Sequence, residues 1–127
     1  MLSRRISMSG YVDGFLIPVP KKNLDRYKKM ARKCGKIWKE YGAIEYVETI
    51  SDDITKGKIT SFPQSVRLKR GEVVIFSWIV YKSKSARDRI NKKVMADERI
   101  KKMFEGGNMS FDGKRLIWGG FKPFMKI

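Results

Sequence analysis

Val73-Val-Ile-Phe-Ser-Trp-Ile-Val-Tyr81 decides the fold. The run is rich in β-branched and aromatic residues, which reads as a strand. Side chains along a strand point alternately to two faces. One face is Val74, Phe76, Trp78 and Val80, and the other is Val73, Ile75, Ser77, Ile79 and Tyr81. Both are apolar and both need cover. The rest of the chain offers two substantial helices, enough for one face. A second copy of the chain is the economical cover for the other, so a homodimer is expected.

Composition bounds the rest. A chain of 127 residues fits one domain and buries roughly two-thirds of its unfolded surface, so it needs no disulfide or metal to hold a core. Residues 1–8 read as a flexible basic tail, with Met8 an alternative start, and 9–127 as the domain. No run approaches the ~20 apolar residues of a membrane span, and no apolar stretch follows the basic start, so a cytoplasmic location is expected. The chain has no histidine, which excludes Ser-His and Cys-His nucleophile pairs and histidine-ligated metals. Its single cysteine, Cys34, excludes an internal disulfide and thiolate clusters, and reads as a buried structural thiol. No motif calls for a cofactor or a metal. Any chemistry must come from carboxylates, Lys, Tyr or Arg. The net charge of +16 suits contact with a polyanion, or is a solvated surface.

Tyr11 to Val19 reads as the first strand. Asn23 stands where a helix cap belongs and Gly42 where a helix ends. Between them, Leu24, Tyr27, Met30, Ala31, Cys34, Ile37, Trp38 and Tyr41 fall on one arc of a helical wheel. Arg26, Lys28, Lys29, Arg32, Lys33, Lys36 and Lys39 fall opposite. Ala43 to Ser51 reads as a second strand. The long connection 52–71 holds Phe62 and Val66 at helical spacing and is expected as a flap or an arm toward the partner. After the third strand, Ser85 and Asp88 read as a capping pair for a second helix that breaks near Ala96, with Asp97 capping the second piece. Asp112-Gly113 is a turn, and Lys114 to Phe124 the last strand. Strand, helix, strand, strand, helix, strand is the α+β ferredoxin-like order: a four-stranded antiparallel sheet with both helices on one face.

Three strings carry a resemblance. Tyr11-Val-Asp-Gly-Phe15, Glu72-Val-Val-Ile-Phe-Ser-Trp78 and Phe111-Asp-Gly-Lys-Arg-Leu-Ile-Trp-Gly-Gly-Phe121 resemble the YbaA-like bacterial proteins, a family of unknown function, over about Ser9 to Phe124. The resemblance implies membership of the dimeric α/β-barrel group, in which two ferredoxin-like sheets close face to face. It also implies, as that group's chemistry, cofactor-free isomerase or oxygenase reactions on a small organic substrate in the barrel. No catalytic residue set comes with it, so whether the protein is an enzyme stays open.

Asp13 is the sharpest site candidate, because a carboxylate in mid-strand beside Tyr11, Phe15 and Ile17 is costly unless paired. It reads either as a general acid or base or as a structural partner of Lys, Arg or a backbone N–H. Glu48 shares a face with Ile44, Tyr46 and Ile50. It reads as a solvated side chain on an edge strand, as half of a carboxyl pair, or with Asp52 and Asp53 as a hard-cation site. Phe15, Tyr46, Phe76, Trp78 and Trp118 read as the wall of a ligand pocket in the barrel or as plain core. Arg115, with Lys114, reads as an anion holder at its mouth or as surface. The third strand lacks the K/R-G-F/Y-G/A-F-V-x-F/Y signature of RNA-recognition motifs. The expected function is therefore a small dimeric protein that binds or converts a small organic ligand. The alternative is non-specific contact of the basic helices with nucleic acid or an acidic partner.

Overall fold

The computed structural model describes residues 10–107 and 109–127; the tail expected at 1–8 lies outside them. The chain runs through β1 (Tyr11–Pro20), α1 (Leu24–Glu40), β2 (Glu45–Ile50), the single turn α2 (Phe62–Ser65), β3 (Glu72–Tyr81), α3 (Lys84–Met95), α4 (Glu98–Met103) and β4 (Ile117–Phe121). The four strands form one antiparallel sheet in the order β2-β3-β1-β4. This is an α+β fold.

The alternation along β3 divides the molecule. Ile75, Ser77, Ile79 and Tyr81 are buried beneath the helices, while Phe76 on the other face is 45% exposed. The register carries the division across the sheet. Asp13 stands opposite Ile79, Phe15 opposite both Ser77 and Trp118, and Glu48 opposite Ser77. These residues share the inward face. Gly14, Val47 and Trp78 stand opposite one another on the outward face.

α1 buries Tyr27, Ala31, Cys34, Gly35 and Ile37, the apolar arc of its wheel with one glycine added. A Cβ on Gly35 would lie 2.9 Å from Cδ1 of Tyr46, so the missing side chain lets α1 approach β2. α3 buries Ala86, Ile90 and Val94. The chain breaks after Met95, and the Asp97 side chain accepts from Arg99 N to start α4. Arg99 also binds Glu40 in a two-point ion pair, and the Tyr41 hydroxyl donates to Asp97 at 2.7 Å. The end of α1 is thereby tied to α4.

Local details depart from the sequence reading. The Asn23 side chain makes no cap bond; it donates to the Ser110 carbonyl at 3.2 Å. A turn of 3-10 helix at Lys21–Asn23 leads into α1 instead. Ser83, not Ser85, caps α3 by accepting from Ala86 N at 3.1 Å, because Ser83 has the extended backbone a cap needs. β4 is shorter than expected, since Gly113–Arg115 coil into a 3-10 turn. The connection 51–71 does hold one helical turn, capped by Ser61. It lies against the outward face, where the Phe62 ring meets Phe76 at 6.0 Å.

Arg115 is the latch of that connection. Its Nε binds Asp112, its Nη1 reaches the Val66 and Arg67 carbonyls, and Nη1 and Nη2 grip both oxygens of Glu72 at 2.8 and 2.6 Å. Glu72 is only 7% exposed at its side chain, and Arg115 holds its carboxyl below the usual carboxylate range. Arg115→Met leaves this carboxylate without its partner and is expected to cost about 2–4 kcal/mol in chemical denaturation. Glu72 titrates below its ordinary value in the folded chain, so its contribution is present above pH ~4.5 and is lost as pH falls through the folded pKa. Acid unfolding of the wild type measured against Arg115→Met should show the two curves converging in that range.

Candidate functional site

A cavity of about 390 Å³ lies between the inward face of the sheet and the helices. Its origin is legible in one cross-strand row: Glu48, Ser77, Phe15, Trp118. Ser77 is the small residue among large ones, and the space above it is unfilled. The row spans roughly 14 Å at three strand spacings. Trp118 and Met95 on the wall are 57% and 56% exposed, so the cavity opens at their end.

Two carboxyl groups reach the wall, and their surroundings differ. Glu48 comes from β2. The Tyr27 hydroxyl, brought down by α1, donates to its Oε1 at 2.7 Å, and the Tyr46 hydroxyl donates to its Oε2 at 3.2 Å. Tyr46 holds this position because its ring lies against Gly35. Burial pushes the Glu48 pKa up, and the two tyrosine hydrogen bonds pull against that rise. Burial and the Glu48 charge raise both tyrosines, so they remain protonated donors. Burial, then Glu48, push the Cys34 thiol up to about 11. It is a thiol rather than a thiolate at neutral pH.

Asp13 comes from β1 and is 1% exposed. Burial raises its pKa, and the Arg87 guanidinium of α3 opposes this most strongly. Arg87 Nη1 stands 3.4 Å from Asp13 Oδ1, and the guanidinium sits 4.8 Å from the centre of the Tyr11 ring. Asn91 accepts from Trp38 Nε1 at 3.1 Å and from the Tyr81 hydroxyl at 3.2 Å. Asp13 is thus a buried ion pair braced by an amide and a phenol. Two strand spacings and a two-residue offset separate it from Glu48, about 12 Å between Cα atoms. They cannot share a proton.

The structure divides the expected pocket. Asp13, Phe15, Tyr46, Glu48 and Trp118 line the inward cavity. Phe76 is on the outward face, and the Trp78 ring is there too, 5.5 Å from Phe76, with its Nε1 donating to Glu45 at 2.9 Å. Trp78 nevertheless borders the cavity. This cavity lies on the helix side of the sheet, whereas the sequence reading put the pocket in the barrel, on the outward face that carries Phe76 and the Trp78 ring. Arg115 is not on this wall; its guanidinium is taken up by Glu72, Asp112 and two carbonyls. Among the described residues, no three His, Cys, Asp or Glu side chains stand close enough to hold a metal, so Asp52 and Asp53 do not join Glu48.

The profile described as "Protein of unknown function (DUF1428)" matches residues 10–113. The chain belongs to the DUF1428 family. "Uncharacterized protein YbaA" of Escherichia coli K12 is 46% identical over 115 residues, covering 91% of this chain and 97% of the relative. The protein of the same description in Shigella flexneri matches equally. Among solved structures, the de novo designed protein Foldit4 aligns at a TM-score of 0.41 and 15% identity, over 89% of this chain and 94% of that one.

Sequence reasoning missed several of the residues that make this DUF1428 site. Helical periodicity places Tyr27 only in the core, because its hydroxyl finds Glu48 across 21 residues of chain. Arg87 and Asn91 are an i, i+4 polar pair beside the apolar stripe of α3, a signal that was present. Ser77, the one polar residue on the inward face of β3, was the other. Tyr27→Phe removes one of the two donors to a largely buried carboxyl. It is expected to cost about 1–2 kcal/mol and to move the Glu48 titration further up. Carboxyl-carbon NMR across a pH series reads the second effect directly, and an unmoved Glu48 signal would contradict the assignment.

Proposed function

We propose that the protein binds a small organic ligand in the cavity between sheet and helices, and does so as a homodimer in the cytoplasm. The observation that carries the reading is the cavity itself: about 390 Å³, walled largely by aromatic and aliphatic side chains, with a few polar groups converging on it. Binding is better supported than catalysis. Asp13, the acid–base candidate, is held in an ion pair with Arg87, and nothing in the site specifies a reaction.

Ser77 offers the test. Ser77→Leu fills the space above the row with little added demand on the strand. Indole, as a probe of suitable size, should raise the melting temperature of the wild type and leave Ser77→Leu unmoved. An equal shift in both proteins would place the binding elsewhere.

The outward face supports the pairing. Phe76, Ile117 and Phe121 are large, apolar and 42–64% exposed there, although the 51–71 connection lays Phe62 against Phe76. The chain has 29 lysines and arginines, and none lies in any of the four strands. A face kept apolar and free of cations in so basic a chain fits a surface that meets its own copy. The strand order, with one main helix following β1 and one following β3, supports the ferredoxin-like half-barrel this pairing requires. Sedimentation at micromolar concentration should give the mass of two chains, and Phe121→Asp should give one. A wild type that sediments as single chains would remove the dimer.

A second reading rests on charge. Lys28, Lys29, Arg32, Lys33 and Lys36 of α1 form no ion pairs among the described residues. The paired carboxylates are engaged instead by Arg87, Arg99, Lys101 and Arg115. Such a helix face supports salt-dependent contact with a polyanion. Mixed-sequence DNA should bind at about 50 mM salt and release steeply as salt rises; no binding at the lower salt would remove this reading.

A further inference from the structure

The cavity reading leaves the ligand's charge unassigned, and Glu48 addresses it. Among the described residues, Glu48 and Asp13 are the only charged ones on the wall of this cavity, and no lysine or arginine lines it. Asp13 has Arg87. Among the described residues, Glu48 has no cation within ion-pair distance, and its partners are two phenol hydroxyls, one at each carboxyl oxygen. Both phenols stay protonated, so both donate. A carboxyl that accepts at both oxygens suits the ionised form. A largely desolvated carboxylate without a counter-ion is costly, and the cavity gives a cationic ligand a route to it. Lys28, Arg32 and Lys36 line the outer groove between α1 and β2 that also touches Glu48, but none forms an ion pair with it. The walls beside Glu48 are aromatic, with Trp38 and Tyr46 6.0 Å apart, and ring faces attract organic cations.

Resting on the cavity reading, we propose that the ligand carries a protonated amine seated against Glu48. Its apolar body lies over Ser77 and Phe15 toward the mouth at Trp118. The row from Glu48 to Trp118 sets its length at no more than roughly 14 Å. Ser77 determines how bulky the middle can be.

The test is a calorimetric series on the full chain with matched probes: tryptamine and 2-phenylethylamine, the corresponding alcohols, and the corresponding carboxylates. The amines should bind at least 10-fold more tightly than their alcohols, and the carboxylates most weakly. Glu48→Gln should erase the preference for amines while keeping the affinity for the alcohols. Glu48→Asp, which keeps the charge, should keep the preference, so a general loss of folding in the first variant cannot imitate the result. Alcohols that equal the amines in the wild type, and still lose binding in Ser77→Leu, would overturn the amine and leave the cavity reading standing. Absence of binding by every probe would overturn both.

Discussion

β3 is the central constraint. It is paired on both sides, by β1 along its whole length and by β2 along most of it, so it cannot turn either face away. Two helices cover the inward face. A helix packs on a sheet at the height set by its largest contacts. Phe15 and Tyr46 fill their own places on this face, and Ser77 is too short to fill its place. The void is therefore a consequence of side-chain size within one row, and the polar groups around it inherit an environment with little water.

That environment treats its two carboxyls differently because the helices differ. α3 turns Arg87 inward, where the aromatic ring of Tyr11 supports the guanidinium, and Asp13 obtains a counter-ion. α1 is more basic, yet its cations all fall on the outer side of its wheel. What it presents to the sheet is Tyr27, Ala31, Cys34 and Gly35. Glu48 therefore receives hydroxyls where Asp13 receives a charge. Desolvation favours neutralising such a group and hydrogen bonds favour keeping it ionised. At Glu48 burial outweighs the two hydrogen bonds and raises the pKa, so a bound cation would favour the ionised form.

Much of the architecture was readable from periodicity. The two faces of β3, the buried arc of α1, the break near Ala96 and the order of the elements all follow from local patterns that tertiary packing reinforced. What could not be read were choices made between distant partners. Asn23 has the chemistry of a cap, but a carbonyl 87 residues away takes its amide. Arg115 has the chemistry of an anion holder, but Glu72 and Asp112 are closer than any ligand. Phe76 and Trp118 are both aromatic strand residues, and only the register of three strands shows that they face opposite ways. Glu48 sits on an edge strand, where a solvated side chain is ordinary; the length of Tyr27 and the absence of a side chain at Gly35 draw it inward.

The distribution of charge follows the same division. The helices, loops and termini carry every lysine and arginine, and the strands carry none. On the outward strand faces the carboxylates are Glu45, which accepts from Trp78, and Glu72, which is held by Arg115. Arg115 compensates the Glu72 charge, while Glu45, at the start of the edge strand β2, keeps its own. In the proposed pair, two such sheets would meet with little like charge between them, even though each chain carries +16. The cations on the helices would then lie on the outside of the pair, separated by both sheets and screened over about 8 Å at physiological salt. High net charge normally opposes self-association. Confining it to the helix layer would remove most of that opposition in the proposed pair, where the exposed apolar rings of Phe76 and Phe121 would supply the attraction.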